Sequence, residues 1–190
     1  SAIRGTIREK YWDATRGLFA DTYDHRSFSQ HVNSLAILAG IVTGEEATRV
    51  MERTLNDSSL IQATIYFRYY VHQALKVAGM GDHLLDNLQI WRDQMALGLT
   101  TWAEMPEPTR SDCHAWGASP NIEFFRILLG IDSNAPGFKS IRIAPSLGDL
   151  KEVSGTMPHP VGSVTASYKL DKKGKLTARL IFPTGTDAVF

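Results

Sequence analysis

Apolar residues spaced three and four positions apart predict a series of helices in the first 131 residues of the chain. Ile3, Ile7 and Tyr11 mark a short first helix. Further helical stripes follow at about residues 30–42, 45–55, 62–78, 84–97 and 121–131. The stripe at 62–78 is the most apolar, which favours a helix packed between neighbours. The segments between the stripes are rich in turn-forming residues.

From Asp132 onward the pattern changes to alternation with period two, which is typical of strands. Alternation over 139–143, 152–157, 163–170 and 175–182 predicts about four or five strands. Residues 171–174 form the turn of a hairpin between the last two strands. Because no helical stripe separates these strands, we expect an antiparallel sheet. We therefore predict a helical domain at 1–136 and a β-domain at 137–190.

The segment at 99–121 separates two helical stripes and carries most of the chemistry of the chain. Helix connections usually span roughly two to eight residues, and longer ones are more often functional. Three prolines and a glycine predict an irregular backbone here. The segment contains acids, an imidazole and indoles: Glu104, Glu107, Asp112, His114, Trp102 and Trp116.

This combination of side chains fits carbohydrate chemistry. A carboxylate beside an indole is partly desolvated, which raises its pKa and suits acid or base catalysis. Tryptophan stacks on the apolar face of a sugar ring, and Asp112 and His114 can hydrogen-bond to hydroxyls. We expect Arg110 to pair with Asp112 or Glu107. The alternative is that the indoles anchor the core and the acids are solvated.

Other chemistries have weaker support. Asp112, His114 and a glutamate are a conceivable carboxylate–histidine metal site, but no paired histidine spacing accompanies them. Cys113 and His114 are adjacent, so on an extended chain their side chains point to opposite sides. Cys113 is expected to be a small buried hydrophobe. At the start of the second helix Gln30, His31 and Asn33 either face a pocket or satisfy caps and buried backbone groups.

The composition of the chain limits the kinds of partner and of covalent cross-link that can be expected. The chain has 190 residues, of which 43% are apolar and 21% charged, as in ordinary globular proteins. Twenty basic residues balance twenty acidic ones, which gives no electrostatic reason to expect nucleic acid or a membrane as partner. Cys113 is the only cysteine, so an internal disulfide is excluded. The chain begins without Met and within a helical stripe, so we expect a piece of a longer protein. Its compartment stays open.

Several motifs together resemble one family. TTWAE at 100–104 is followed by SDCHAWGASP at 111–120, by LLGI at the end of an apolar stripe and by IRIAPSLG in the first strand. Upstream, SQHVNSLAILAGI lies in the second predicted helix. In this order, and over nearly the whole chain, the sequence resembles the C-terminal part of bacterial α-L-rhamnosidases.

The resemblance implies a fold, a reaction and a set of site residues. The fold is mainly α with a C-terminal antiparallel β-domain: residues 1–136 are the last half of an (α/α)6 toroid and residues 137–190 a small β-sandwich. The reaction is hydrolysis of terminal α-L-rhamnose with inversion by two carboxylic acids. Glu104 matches the general base of the family. His114 matches a sugar-contacting histidine, and Trp116, Trp102 and Asp112 are expected to bind substrate. No cofactor or metal is implied.

The sequence departs from the family in one respect. The family's general acid lies in an upstream loop that has no equivalent here, and Glu107 is too close to Glu104 to protonate a leaving group on the opposite face of the sugar. We therefore predict that the chain alone is inactive, that it needs the rest of the catalytic domain, and that its exposed apolar helix faces favour self-association. Two alternatives remain: another α/α-toroid glycosidase or polysaccharide lyase, and a non-catalytic carbohydrate-binding module.

Overall fold

The computed structural model describes residues 2–190. Short helices alternate with loops in the first part of the chain, and strands dominate its end. The α-helices are α1 (Ala2–Tyr11), α2 (Gln30–Leu38), α3 (Gly44–Asn56), α4 (Arg68–Val77), α5 (Gln89–Ala96) and α6 (Pro120–Glu123). A π-helical turn, Phe124–Leu128, continues α6. Single 3-10 turns lie at Gly81–His83, Leu85–Leu88, Ala115–Ala118 and Pro136–Phe138.

The ends of the helices follow from local chemistry. The hydroxyl of Ser29 accepts a hydrogen bond from the backbone N–H of Val32 at 3.2 Å and so caps α2. Two acids in the first turn of α3, Glu45 and Glu46, complement the positive end of its dipole. None of the helices in the described part of the chain is long and apolar enough to cross a membrane.

The strands form small sheets. β1 (Trp12–Asp13) pairs with β2 (Leu18–Phe19). β3 (Ile131–Ser133) pairs antiparallel with β4 (Ser140–Ile143), and the last strand, β8 (Asp187–Val189), lies parallel to β4. The third sheet is an antiparallel meander of β5 (Glu152–His159), β6 (Gly162–Leu170) and β7 (Leu176–Ile181).

The chain divides into two compact units. Unit 1 comprises the residues up to Met80 together with Asp86–Ser119. Its core includes Phe19, Ile37, Met51, Ile65 and Leu75, all at most 1% exposed. The helix pairs α2–α4 and α2–α3 make most of its helix contacts, so the start of α2 is at the centre of this unit.

Unit 2 comprises Gly81–Leu85 and Pro120–Phe190. The β3–β4–β8 sheet and the meander share one hydrophobic core, formed by Leu129, Ile131, Ile141, Ile143, Val164, Ala166 and Tyr168. Gly130 joins the π turn to β3 with a φ of +67°, and a Cβ there would lie 2.2 Å from the backbone of Ala144. Only glycine fits this position. The boundary expected after residue 136 lies inside unit 2 and stays a prediction.

The predicted fold class is wrong. The chain is not mainly helical and does not form half of an (α/α)6 toroid, although its last strands are consistent with a C-terminal β-domain. Helical segments of all types hold 39% of the described residues, and strands hold 21% in three small sheets. Apolar periodicity overestimated the helices because 3-10 and π turns carry similar stripes. Thus α4 begins only at Arg68, and α5 follows two 3-10 turns.

Other local predictions are confirmed. α1 and α3 lie within about one residue of their predicted bounds. The period-two segments at 139–143, 152–157, 163–170 and 175–182 coincide with β4 to β7, and the turn at 171–174 joins β6 to β7. The expectation of a wholly antiparallel sheet is wrong for β4 and β8, which pair in parallel, because pairing between distant segments leaves no local pattern in the sequence.

Candidate active site

The segment at 99–121 folds back on itself into two extended arms. The N–H of Glu104 donates to the carbonyl of Ser111 at 2.9 Å, and the N–H of His114 donates to the carbonyl of Trp102 at 2.8 Å. The hydroxyl of Thr101 donates to the carbonyl of Asp112. These bonds place the residues of the TTWAE motif beside those of the DCHAW motif, with 105–110 as the tip between them.

Helix α5 holds both arms. The side chain of Gln94, which is 4% exposed, accepts a hydrogen bond from the backbone N–H of Ala103 at 2.9 Å. The buried indole of Trp91 donates to the carbonyl of Gly117 at 2.6 Å. Both hydrogen bonds are buried, so breaking either one would be costly. They therefore fix the positions of the two arms on α5.

Close packing of Gly117 against Trp102 holds the two arms together. A Cβ on Gly117 would lie 2.4 Å from the Cβ of Trp102, so any larger residue must displace the indole. The backbone of Trp102 in turn holds His114. Trp102 is itself half-buried, and its backbone and side chain support the two arms.

Glu104 is ion-paired with Arg110. The Nε of Arg110 donates to Oε2 of Glu104 at 2.9 Å, and a terminal nitrogen of Arg110 donates to Oε1. The Glu104 side chain is 15% exposed and the Arg110 side chain 74% exposed. The hydrogen bond from Arg110 lowers the pKa of Glu104 despite partial burial, and the charges of Arg110 and His114 act in the same direction.

Two sequence expectations at this point are wrong. Glu104 was expected to have a raised pKa, but its ion pair outweighs desolvation. Arg110 was expected to pair with Asp112 or Glu107, but it pairs with Glu104, which the fold of the loop brings opposite to it. The carboxylate is therefore ionised at neutral pH.

An aromatic group lies beside this carboxylate on the second arm. The rings of His114 and Trp116 are 4.4 Å apart between centroids, and Trp116 meets Tyr66 edge-on at 5.5 Å. Trp116 is 42% exposed and Tyr66 52% exposed. Within residues 2–190 the Nδ1 of His114 is buried and has no hydrogen-bond partner.

The remaining side chains of the loop are more open. Asp112 is exposed, and only its carbonyl is used within the loop. Glu107 is exposed at the tip, where it accepts a hydrogen bond from the backbone of Thr109. Cys113 was expected to be buried, which is wrong: its side chain is a free, exposed thiol. In the described part of the chain no group of three acid, histidine or cysteine side chains is placed to hold a metal ion.

An apolar hollow lies behind the loop rather than at the carboxylate. It is lined mainly by Ile90, Leu97, Leu99, Met105 and Pro106, between α5 and the first arm. Glu104, His114 and Trp116 do not line it. The hollow therefore lies where the loop packs on α5, and not at the carboxylate.

Two of the three polar residues at the start of α2 complete the hydrogen bonding of buried backbone groups. Gln30 and Asn33 are buried, and they bond to backbone groups of Thr54, Ala63 and Phe19. His31 packs on Phe67 with ring centroids 4.3 Å apart. Sequence reasoning missed Tyr66, because its aromatic side chain fitted the helical stripe at 62–78; in the structure this residue precedes α4.

Comparison with known families gives one match. Residues 130–190 match the model of the bacterial alpha-L-rhamnosidase C-terminal domain. This matched region lies in unit 2, beyond the loop just described. A comparison with curated protein sequences found no match.

Comparison with solved structures covers nearly the whole chain. A GH78 family rhamnosidase of Bacillus sp. GL1 matches with a TM-score of 0.79 and 25% identity over 98% of this chain and 23% of that chain. An α-L-rhamnosidase from Aspergillus terreus matches with a TM-score of 0.78 and 18% identity, over 98% and 23% of the two chains. The chain thus spans less than a quarter of each of these proteins. These matches confirm its similarity to the C-terminal part of α-L-rhamnosidases.

Proposed function

We propose that this chain is the C-terminal part of a glycoside hydrolase that cleaves terminal α-L-rhamnosides, and that Glu104 is the general base of the reaction. The rhamnosidase domain match and the similarity to solved rhamnosidases support the substrate class. The observation that carries the role of Glu104 is its place: an ionised carboxylate near His114, on a loop anchored to the buried side chains of Trp91 and Gln94 of α5.

The proposed chemistry needs two carboxyl groups on opposite faces of the sugar. Glu104 takes a proton from water as the water oxygen bonds to the anomeric carbon. The bond from that carbon to the leaving-group oxygen breaks, and a carboxylic acid outside this chain protonates that oxygen. The product has inverted configuration. In inverting enzymes the two carboxyl groups lie roughly 6.5–9.5 Å apart.

The neighbours of Glu104 suit the binding of a deoxy sugar. Trp116 offers an exposed indole face for the C–H surface of the ring. His114, whose ring packs against that of Trp116, and Asp112, whose carboxylate is exposed, are the polar side chains for ring hydroxyls. Trp102 holds the loop from beneath. We assign His114, Trp116 and Asp112 to substrate contact and Trp102 to contact and support.

The first experiment is hydrolysis of an aryl α-L-rhamnoside by the full-length protein that contains this chain. Glu104→Gln removes the base but keeps the shape, and we expect turnover to fall by about a thousandfold or more, since removing a general base costs roughly 10²–10⁴-fold. Glu107→Gln, at the exposed tip of the same loop, is the matched control and should keep most activity. Retained turnover in Glu104→Gln would place the base elsewhere.

A second candidate is carbohydrate binding without cleavage. It is favoured by the engagement of both Glu104 oxygens by Arg110, which leaves fewer lone pairs for a water molecule. Under this reading neither wild type nor Glu104→Gln hydrolyses any aryl glycoside, while both bind rhamnose equally in calorimetry. We also expect the 190-residue chain alone to be inactive, because it lacks the general acid.

A further inference from the structure

The carboxylate of Glu104 is held by a single group. Its two oxygens both accept hydrogen bonds from Arg110, one of them at 2.9 Å from Nε. Among residues 2–190 the structure shows no other side chain or backbone group bonded to this carboxylate. The orientation of the carboxylate plane therefore depends on the fork of the guanidinium, which matches a carboxylate in two parallel hydrogen bonds.

The fold of the loop puts Arg110 in this position. The backbone bond from Glu104 to Ser111 fixes residue 110 next to the first arm. The hydroxyl of Thr109 also donates to the Ser111 carbonyl, at 3.0 Å, which tightens the turn before the second arm. The other loop acids, Glu107 and Asp112, are exposed and make no bond with Arg110.

This ion pair contributes little to stability. The guanidinium is three-quarters exposed, and exposed ion pairs contribute little because solvent screens them. Its geometry still fixes the direction of the Glu104 carboxylate, because both carboxylate oxygens bond to the same guanidinium. A general base acts well only if its oxygen lies at the attacking water, and small misplacements have large effects on rate.

We propose that Arg110 is a positioning residue for catalysis: its two hydrogen bonds aim the Glu104 carboxylate at the attacking water. This inference rests on the proposed role of Glu104 as general base. Arg110 and His114 are the charged or titratable groups that act on this carboxylate. Arg110 thus also keeps the base ionised over a wider range of pH.

The test compares three arginine variants of the full-length protein by kcat, KM and the pH profile of kcat/KM on an aryl α-L-rhamnoside. In Arg110→Gln we expect kcat to fall between about tenfold and a hundredfold, with KM changed less than about twofold. The acidic limb of the profile should move to higher pH, because the hydrogen bonds and the charge of Arg110 no longer lower the pKa of Glu104.

Two further variants sharpen the result. Arg110→Lys keeps the charge but not the fork, so the acidic limb should stay near its wild-type position while kcat stays low. Arg49→Gln is the matched control, because it removes an arginine from another exposed arginine–glutamate pair, with Glu45 on α3. It should leave both kcat and the limb unchanged.

The outcomes separate this inference from the proposed function. If Glu104→Gln is inactive while Arg110→Gln keeps wild-type kcat and the same acidic limb, the positioning role is refuted and the base assignment stands. In Arg110→Gln, a loss of kcat without movement of the limb would mean a purely structural role and would also refute it. If Arg110→Gln does not fold, Arg110→Lys decides: a fall in kcat with KM and the acidic limb near their wild-type values supports the positioning role, and a wild-type kcat refutes it. Activity in Glu104→Gln would instead refute the proposed function.

Discussion

Two groups of polar residues in unit 1 look alike in the sequence but differ in where their hydrogen bonds go. Gln30 and Asn33 are buried at the start of α2, and their amides bond to backbone groups of neighbouring segments. Glu104, Asp112 and His114 lie on the loop at 99–121, where backbone bonds hold the arms; among the described residues the Glu104 carboxylate bonds only to the exposed Arg110, and the Asp112 carboxylate is exposed. Polar residues that complete the scaffold have no capacity left for a ligand, whereas those held by their backbones do.

The comparison predicts opposite phenotypes for the two groups. Substitutions in the α2 group should change stability, and those in the loop should change turnover. The three predictions below, ordered by expected energetic effect, test how sharply this division holds.

The largest effect is expected at Asn33. Its side chain accepts from the N–H of Phe19 at 2.8 Å and donates to the carbonyl of Phe19 at 3.0 Å, and it is fully buried. Asn33→Ala leaves both backbone groups of Phe19 without a partner, and each such group costs roughly 1–3 kcal/mol. We expect the free energy of unfolding to fall by about 4 kcal/mol, measured by urea denaturation.

The matched control for Asn33 is Asn56→Ala. Asn56 also donates its amide to a backbone carbonyl, that of Glu52 at 2.8 Å, but at an exposed position. Its loss should change the free energy of unfolding by no more than about 0.5 kcal/mol. Equal effects of the two variants would mean that burial does not distinguish the scaffold group.

The next effect is expected from His72, a polar residue in the core of unit 1. Burial, followed by the charge of Arg68, lowers the pKa of His72 to about 4, while the backbone of Asn87 acts in the opposite direction. Its ring packs 5.6 Å from that of Trp91, the residue that holds Gly117. In the folded protein His72 is therefore neutral at pH 7 and stays neutral well below its ordinary pKa.

The direction in which stability changes with pH follows from the protonation of His72 in the folded and the unfolded state. Above about pH 6.5 His72 is neutral both folded and unfolded, so it adds no pH dependence. Below that pH the unfolded chain gains a proton that the folded one does not bind until about pH 4. Stability should fall by about 1.4 kcal/mol per pH unit in this window, about 3 kcal/mol in all.

Replacing the imidazole tests this dependence. His72→Phe keeps a ring against Trp91 and should flatten the fall in urea midpoint between pH 6.5 and 4. His83→Gln, at an exposed position, should follow the wild type. If His72→Phe and wild type lose stability in parallel as pH falls, His72 is not the group responsible.

The same division explains how much of this molecule the sequence predicts. Alternation along 152–182 predicts the three strands of the meander: β5 and β6 alternate between a more buried and a more exposed face, whereas in β7 only Leu180 packs on the core. The stripe at 62–78 misleads, because the backbone there is used elsewhere: Ile61 bridges to Ser29, and the N–H of Ala63 bonds to the Gln30 side chain. Only the fold reveals such competition for backbone groups.

At the candidate site, motifs predict which residues meet but not how they interact. The TTWAE and DCHAW motifs do lie side by side, held by the bond from His114 to Trp102. The partner of Arg110 depends on the turn at 105–110, and no spacing rule gives the course of such a turn. The pairing with Arg110 also lowers the pKa of Glu104, so the sequence alone could not predict the direction of that pKa shift either.

The smallest expected effect on stability, but one that changes turnover, is at Gly117. Adding a methyl group in Gly117→Ala forces the Cβ of Trp102 away from a 2.4 Å contact, and overpacking of this kind costs about 2 kcal/mol. Trp102 also holds His114 through its carbonyl, so the aromatic side of the site should move. We expect rhamnoside turnover to fall about tenfold or more while the protein stays folded.

Gly5→Ala on α1, where a Cβ meets nothing within 4 Å, is the control and should leave turnover unchanged. Unchanged turnover in Gly117→Ala as well would mean that the loop tolerates movement of Trp102 and that its side chains, rather than its fixed backbone, determine binding.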